Sequence, residues 1–407
     1  RDATSFNQDI GGWNVANAEF MSLLLNNATS FNQDLSGWCV TNITSEPSSF
    51  DDGASSWVDP RPVWGTCPNT WEDASSMSET FIEASDNSEG ATGDSYGKAV
   101  DIYGVYAVVG IPDQNSSTGA AYVYKNTSGV WSFVQKLTAD DGATGDEFGF
   151  SVSISSSYIA VGAPENDHSS ASNPGAAYIY KNIAGTWTQT QKLVSPHPAN
   201  DDVYGQSLDI SGDVMIISEP KDLTNYGVAH VYRLSGSTWT YEDELQSADT
   251  SWETGRFVAI EGDTAVFGLK SYTGTGGSAS GAISIFENSG GVWTETQIVE
   301  YTGAAANDRV GEGVQISGDF IVAGGYQDSN GNQHQPYATV FKRTGSTWAW
   351  FQKISGVNRA DYDAFSFPIN SAAMPAVDID DKTIVIGAYQ SSNATAIGSG
   401  AVFVYTF

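Results

Sequence analysis

From about residue 90 to the end of the chain, five short phrases recur in fixed order, and no other feature constrains the fold as much. The first is a turn phrase, Gly93-Asp94-Ser95-Tyr96-Gly97, then Gly145-Asp146-Glu147-Phe148-Gly149, then Asp202-Val203-Tyr204-Gly205. An apolar phrase follows, Ala107-Val108-Val109-Gly110-Ile111-Pro112 and Ile159-Ala160-Val161-Gly162-Ala163-Pro164. Looser copies start at Met215, Ala265, Ile321 and Ile384, so six are visible. The third phrase is Gly119-Ala120-Ala121-Tyr122-Val123-Tyr124, echoed from Gly175, Gly227, Gly281, Pro336 and Gly400. The fourth delivers a Trp from a turn at Trp131, Trp187, Trp239, Trp293 and Trp348. The fifth is an apolar residue at Leu137, Leu193, Leu245, Val299 and Ile354.

Each unit thus supplies four short β segments separated by Gly, Asn, Ser or Asp turns, which is the content of one four-stranded propeller blade. The second segment is apolar on both faces, as a strand sandwiched between neighbouring blades must be. The Trp opens the outer strand, where its surface can cover the blade edge. The sixth unit ends at Ala401 to Phe407 with no Trp segment, one strand short. A β-like stretch, Ser78 to Ala84, stands ahead of the first unit. The expectation is an all-β, six-bladed propeller over 77–407, closed by residues 77–86 as the outer strand of the last blade, so that no edge stays open. A seventh blade could lie only in Cys39 to Ser76, which lacks the apolar phrase.

A shorter repeat precedes this one. Ala3-Thr4-Ser5-Phe6-Asn7-Gln8-Asp9-Ile10 returns as Ala28-Thr29-Ser30-Phe31-Asn32-Gln33-Asp34-Leu35, and Trp13 returns as Trp38, a spacing of 25 residues. Two such units cannot bury a core alone, because stacked neighbours supply each other's packing. Residues 1–44 therefore read as the C-terminal end of a longer array, and 45–76 as its cap and linker. The start at Arg1, with no signal-type apolar stretch, fits a processed or excised product.

Through Phe148-Gly149 with Gly162-Ala163-Pro164, Tyr96-Gly97 with Gly110-Ile111-Pro112, and the Gly-Ala-Ala-Tyr phrases, the long unit resembles the FG-GAP repeat of integrin α-subunit heads and of microbial and algal surface proteins. The 25-residue unit is similar to the BspA-like leucine-rich repeat of surface proteins. Integrin blades bind calcium in an Asp-x-Asp-x-Asp-Gly loop, whereas the matching hairpins here are short, as at Ser211-Gly212-Asp213 and Glu261-Gly262-Asp263. The resemblance implies an extracellular, non-catalytic surface protein for adhesion or protein contact. Two alternatives are a structural subunit of an extracellular filament and a carbohydrate-binding module.

Charge narrows the partners. With 48 acidic against 17 basic residues the net charge is −31, which argues against nucleic acid and anionic lipid, both of which need clustered Lys and Arg. No apolar run is long enough to span a bilayer. The expected partners are other extracellular proteins, copies of the chain itself or glycans. Sequons stand at Asn27, Asn42, Asn115, Asn126 and Asn393. Cys39 and Cys67 are the only cysteines, too few for a four-ligand zinc site. In such an acidic, extracellular-looking chain they read as a disulfide tying off the cap, with two separate buried thiols as the alternative.

Four histidines, His168, His197, His230 and His334, show no triad or metal spacing. No phosphate loop or nucleophile elbow appears, so the sequence predicts no enzymatic turnover. His230 occupies the slot of Tyr122 and Tyr178 and reads as structural. Asp94, Asp146, Asp202, Asp308 and Asp363 fall just before the innermost strand of five blades. Either each Asp caps its own turn, or they form a ring on one face and, with Asp113, Glu165 and Asp167, bind calcium or a polyhydroxylated ligand.

Overall fold

A computed structural model of the chain describes residues 2–8, 10, 15, 18, 20–33, 35, 38, 40, 42–58, 61–65, 94–128, 130–168, 171–221, 226–328, 334–355, 377–380, 383–388 and 401–406. The chain divides into two compact units, Arg1–Ser78 with Val404–Phe407, and Glu79–Phe403.

In the first unit the 25-residue repeat stacks as rungs. The Phe6 and Phe31 rings lie parallel, 5.8 Å apart, and Trp57 meets Phe31 edge-on at 5.1 Å, so a third rung follows two that the motif marks. An Asn ladder ties them: the Asn32 N–H donates to Asn7 Oδ1 at 2.7 Å, and the Val58 N–H donates to Asn32 Oδ1 at 2.7 Å. Each rung thereby satisfies backbone donors of the next, which turns cannot satisfy internally. The indole N–H of Trp38 donates to the Ile10 carbonyl and that of Trp57 to the Gln33 carbonyl, anchoring both Trp side chains around buried Leu25, Leu35 and Phe50.

In the second unit the repeat becomes sheets. Among the described residues there are five four-stranded antiparallel sheets and one of three strands, each a simple meander in chain order. The first strands are Val100–Tyr103, Ser151–Ile154, Leu208–Ser211, Val258–Glu261, Val314–Ser317 and Val377–Asp380. They pack in sequence, each against the next. The second strands, such as Tyr158–Ala163 and Val214–Glu219, are buried along their whole length, as the apolar phrases require. Between the third and fourth strands of all five complete sheets the register slips by one residue ahead of an aromatic: Tyr124, Tyr180, Tyr232, Phe286 and Phe341. The expected closing strand, 77–86, lies outside the described residues.

The core lies between sheets. Phe148, Tyr204 and Val310 fill one repeated slot in full burial, each worth about 1.5–3 kcal/mol of apolar transfer. At the outer edge the amide of Gln135 accepts from the Trp187 N–H and donates to the Trp187 carbonyl, bridging the first sheet to the second. Gln191 with Trp239 and Gln297 with Trp348 repeat the clamp. The Trp side chains beneath are buried, as expected of edge covers.

The motif glycines mark the tightest contacts. A Cβ on Gly110 would stand 2.0 Å from the Gly149 carbonyl oxygen, one on Gly162 2.0 Å from that of Gly205, and one on Gly268 1.9 Å from that of Gly311. Gly149 itself has φ 97° and would press a Cβ to 2.2 Å from the Ala120 oxygen. Gly149→Ala is therefore expected to cost about 2–4 kcal/mol, combining left-handed strain with backbone overlap. Gly104→Ala, with positive φ but open space, should cost only about 1 kcal/mol. Urea unfolding of both variants checks the difference.

Candidate functional site

The turns before the first strands hold the Asp residues singled out by sequence. Asp146 Oδ2 accepts the Ala143 N–H and the Asn166 amide, both at 2.8 Å. Asp202 Oδ2 accepts the Ala199 N–H at 2.5 Å, and Asp308 Oδ2 accepts the Ala305 N–H at 2.9 Å and the Tyr337 hydroxyl at 3.2 Å. All three are buried, each within its own turn three residues back. Asp94 is half-buried, and Asp363 lies outside the described residues. Asp167 accepts the Asn173 N–H. Among the described residues no group of three or more His, Cys, Asp or Glu is arranged to hold a metal ion.

Of the sequons, Asn27, Asn42 and Asn115 are exposed, while Asn126 is half-buried in the strand Ala120–Thr127. The Asn27 amide donates to Asp2 Oδ1 at 2.8 Å. Asn393, Cys39 and Cys67 lie outside the described residues. His230 is buried in its Tyr slot, its Nε2 against Glu219 Oε2, and Ser195 Oγ donates to the same oxygen.

A second acidic set, not singled out by sequence, runs along the first strands. Asp101, Ser153, Asp209, Ala259, Gln315 and Asp378 each precede the strand's Ile. Asp101 Oδ2 accepts the Ile154 N–H of the second sheet at 2.7 Å, and Asp209 Oδ2 accepts the Ile260 N–H of the fourth at 2.8 Å. Burial raises the Asp101 carboxyl most; the Ile154 N–H pulls it back, and the charges of Asp209 and Asp378 add to the rise, which reaches about 7. Burial likewise lifts Asp209, against the N–H of Ile260 and the hydroxyl of Ser153, to about 6. The signal for these residues was their shared repeat position, one before Ile.

At the end of the sheets where first strands begin and second strands finish lies a cavity of about 350 Å³. The turns before the first strands contribute Lys98, Phe150, Gln206 and Arg256. The loops after the second strands contribute Asp113, Glu165 and Lys221, and Glu147 completes the acidic side. Burial, then the charges of Glu165 and Asp113, raise the Glu147 carboxyl, with Lys98 opposing. Burial raises Glu165 too, with Lys221 opposing and Asp201 and Asp167 adding to the rise. Sequence pointed to Asp113 and Glu165 here but not to the basic residues between them.

Comparison with known proteins follows the two units. Residues 131–180 and 187–232 match the family described as FG-GAP repeat. Residues 1–89 match a family described as Mycoplasma protein of unknown function, DUF285. No curated protein matches the chain. A solved periplasmic gluconolactonase of Pseudomonas aeruginosa is similar over 76% of this chain and 85% of its own, at 12% identity and a TM-score of 0.44. That finding corrects the expectation of a chain without turnover: the similar protein is an enzyme, and the expectation is withdrawn. At this identity and TM-score no activity comes across with the likeness.

Two outcomes test these carboxylates. Asp146→Ala should cost about 1–2 kcal/mol as a lost turn cap, equally in calcium and in chelator; a loss seen only with calcium would assign the turn to a cation. Because Asp101 and Asp209 are raised when folded, the native state keeps protons that the unfolded chain has released. Stability should therefore fall as pH rises from about 4 through about 7 and level off above. Asp101→Asn combined with Asp209→Asn should flatten that fall, measured as urea midpoints between pH 5 and pH 8.

Proposed function

We propose that the chain is an extracellular surface protein that works by protein–protein contact, with its second unit a six-bladed propeller closed by residues 77–86 and its first the end of a leucine-rich solenoid capped by a Cys39–Cys67 disulfide. FG-GAP repeats are typical of extracellular proteins, and among the described residues no helix is long and apolar enough to cross a membrane. The observation that carries the contact role is in the first unit. Phe20 is 87% exposed, with Leu23 and Leu24 exposed beside it in the same loop. Three exposed apolar side chains in one loop form a contiguous patch, which suits a contact with a partner more than a singly exposed side chain does.

A surface filament, in which the partner is another copy, rests on the same loop. Like charge repels between copies, but at physiological salt the repulsion is screened beyond ~8 Å, so a short apolar contact can hold. Membrane-impermeant biotin should label the protein on intact source cells; labelling only after lysis would sink the extracellular reading. In sedimentation equilibrium and negative-stain microscopy of native material, association that Phe20→Asp with Leu24→Asp abolishes would identify the loop as the self-contact. Monomers in both preparations would leave a foreign protein as the partner.

A further inference from the structure

The repeat itself separates frame from site. The residue after the turn glycine is Lys98, Phe150, Gln206, Arg256 and Glu312 in five successive units, and the residue after the proline is Asp113, Glu165 and Lys221 in three. The preceding glycine is kept in all five units, and at Gly149, Gly205 and Gly311 backbone crosses there, whereas these positions change in charge, size and polarity from unit to unit. All but Glu312 line this same cavity. In a chain with only 17 Lys and Arg, three of them converge on it.

Two buried polar atoms in the lining lack hydrogen-bond partners. Gln206 is 8% exposed and its Oε1 accepts nothing; Arg256 is held through Nη1 by Glu253 at 2.6 Å, yet its Nε donates to nothing. An unsatisfied buried acceptor and donor cost about 1–3 kcal/mol each, and both belong to side chains that line the cavity wall. Glu253 also takes Lys270 at 2.8 Å. Lys98, Lys221, Arg256 and Lys270 thus balance Asp113, Glu147, Glu165 and Glu253, and the site is neutral inside an acidic protein.

We propose that this cavity binds a hydroxylated organic acid of hexuronate size. The volume lies within the ~300–1,000 Å³ typical of small-molecule sites. The ligand carboxylate is recognised by Lys98, Lys221 and Arg256. Its hydroxyls meet the Gln206 amide and donate to the carboxylates of Glu147, Glu165 and Asp113, and Phe150 offers an apolar wall to the C–H face of the ring. A bare phosphate would leave the acids unanswered. A lone divalent cation would face the basic residues set among them.

Calorimetric titration of the full chain tests this with D-glucuronate, D-galacturonate and D-gluconate, against glucose, acetate, glutamate and calcium. At least one sugar acid is expected to bind in the millimolar range or tighter, at least tenfold better than glucose or acetate. Lys221→Gln, half-buried at the rim, and the near-isosteric Gln206→Leu should each weaken it tenfold or more at an unchanged melting temperature. Should Gln206→Leu fail to fold, Lys221→Gln alone decides. No heat with any of the three sugar acids overturns the proposal. So does binding that Lys221→Gln leaves unchanged, a preference for glutamate, or calcium binding without sugar-acid binding.

Discussion

Backbone crossing backbone where no Cβ fits is the contact on which the second unit depends. Gly110 against Gly149, Gly162 against Gly205 and Gly268 against Gly311 let one sheet's second strand meet the next sheet's incoming turn at carbonyl distance. From that approach follow the parallel bridges Gly119 to Phe148, Gly175 to Tyr204 and Gly281 to Val310, which stitch consecutive sheets by main chain alone. The aromatic or β-branched residue beside each turn glycine is then driven into the gap between sheets, where it is fully buried. Packing and hydrogen bonding are fixed by one geometric demand, so they repeat together.

The same demand explains how identical frames carry unlike chemistry. A residue one step past the glycine lines the cavity in four of the units. Lys98, Phe150, Gln206 and Arg256 diverge around one cavity while their neighbouring glycines do not. Where the frame residue does change, at Ser218, its hydroxyl accepts the Ser207 N–H and its carbonyl still receives the Gly205 N–H. Both bonds lie within the third sheet and its entry turn, and the second has its counterpart between the Gly149 N–H and the Gly162 carbonyl.

The first unit solves its packing by other means. Among its described residues there is no regular strand, and the Asn7 and Asn32 side chains join the rungs by accepting backbone N–H groups one repeat on. Phe6 stacked on Phe31, with Trp57 edge-on to Phe31, supplies the apolar column. Trp57 stands where the motif would place Phe, an exchange that keeps the ring and loses the sequence signal.

Sequence alone determined the all-β class, the order of strands within each sheet, the burial of the second strands and of the Trp covers, and the local role open to each Asp. These are properties of period and residue type, and neighbouring residues along the chain suffice to set them. It did not decide between a turn cap and a shared ring for Asp146, Asp202 and Asp308, because both use the same residue at the same place; the direction of each side chain, back toward its own turn, is a tertiary fact. Asp101, Asp209 and Asp378 looked like ordinary strand polars, since nothing along so long a stretch of chain says that the charges of Asp209 and Asp378 act on Asp101. The cavity was hidden for the same reason. Lys98, Gln206 and Arg256 are unremarkable one at a time, and only the convergence of four sheets sets them facing Glu147 and Glu165.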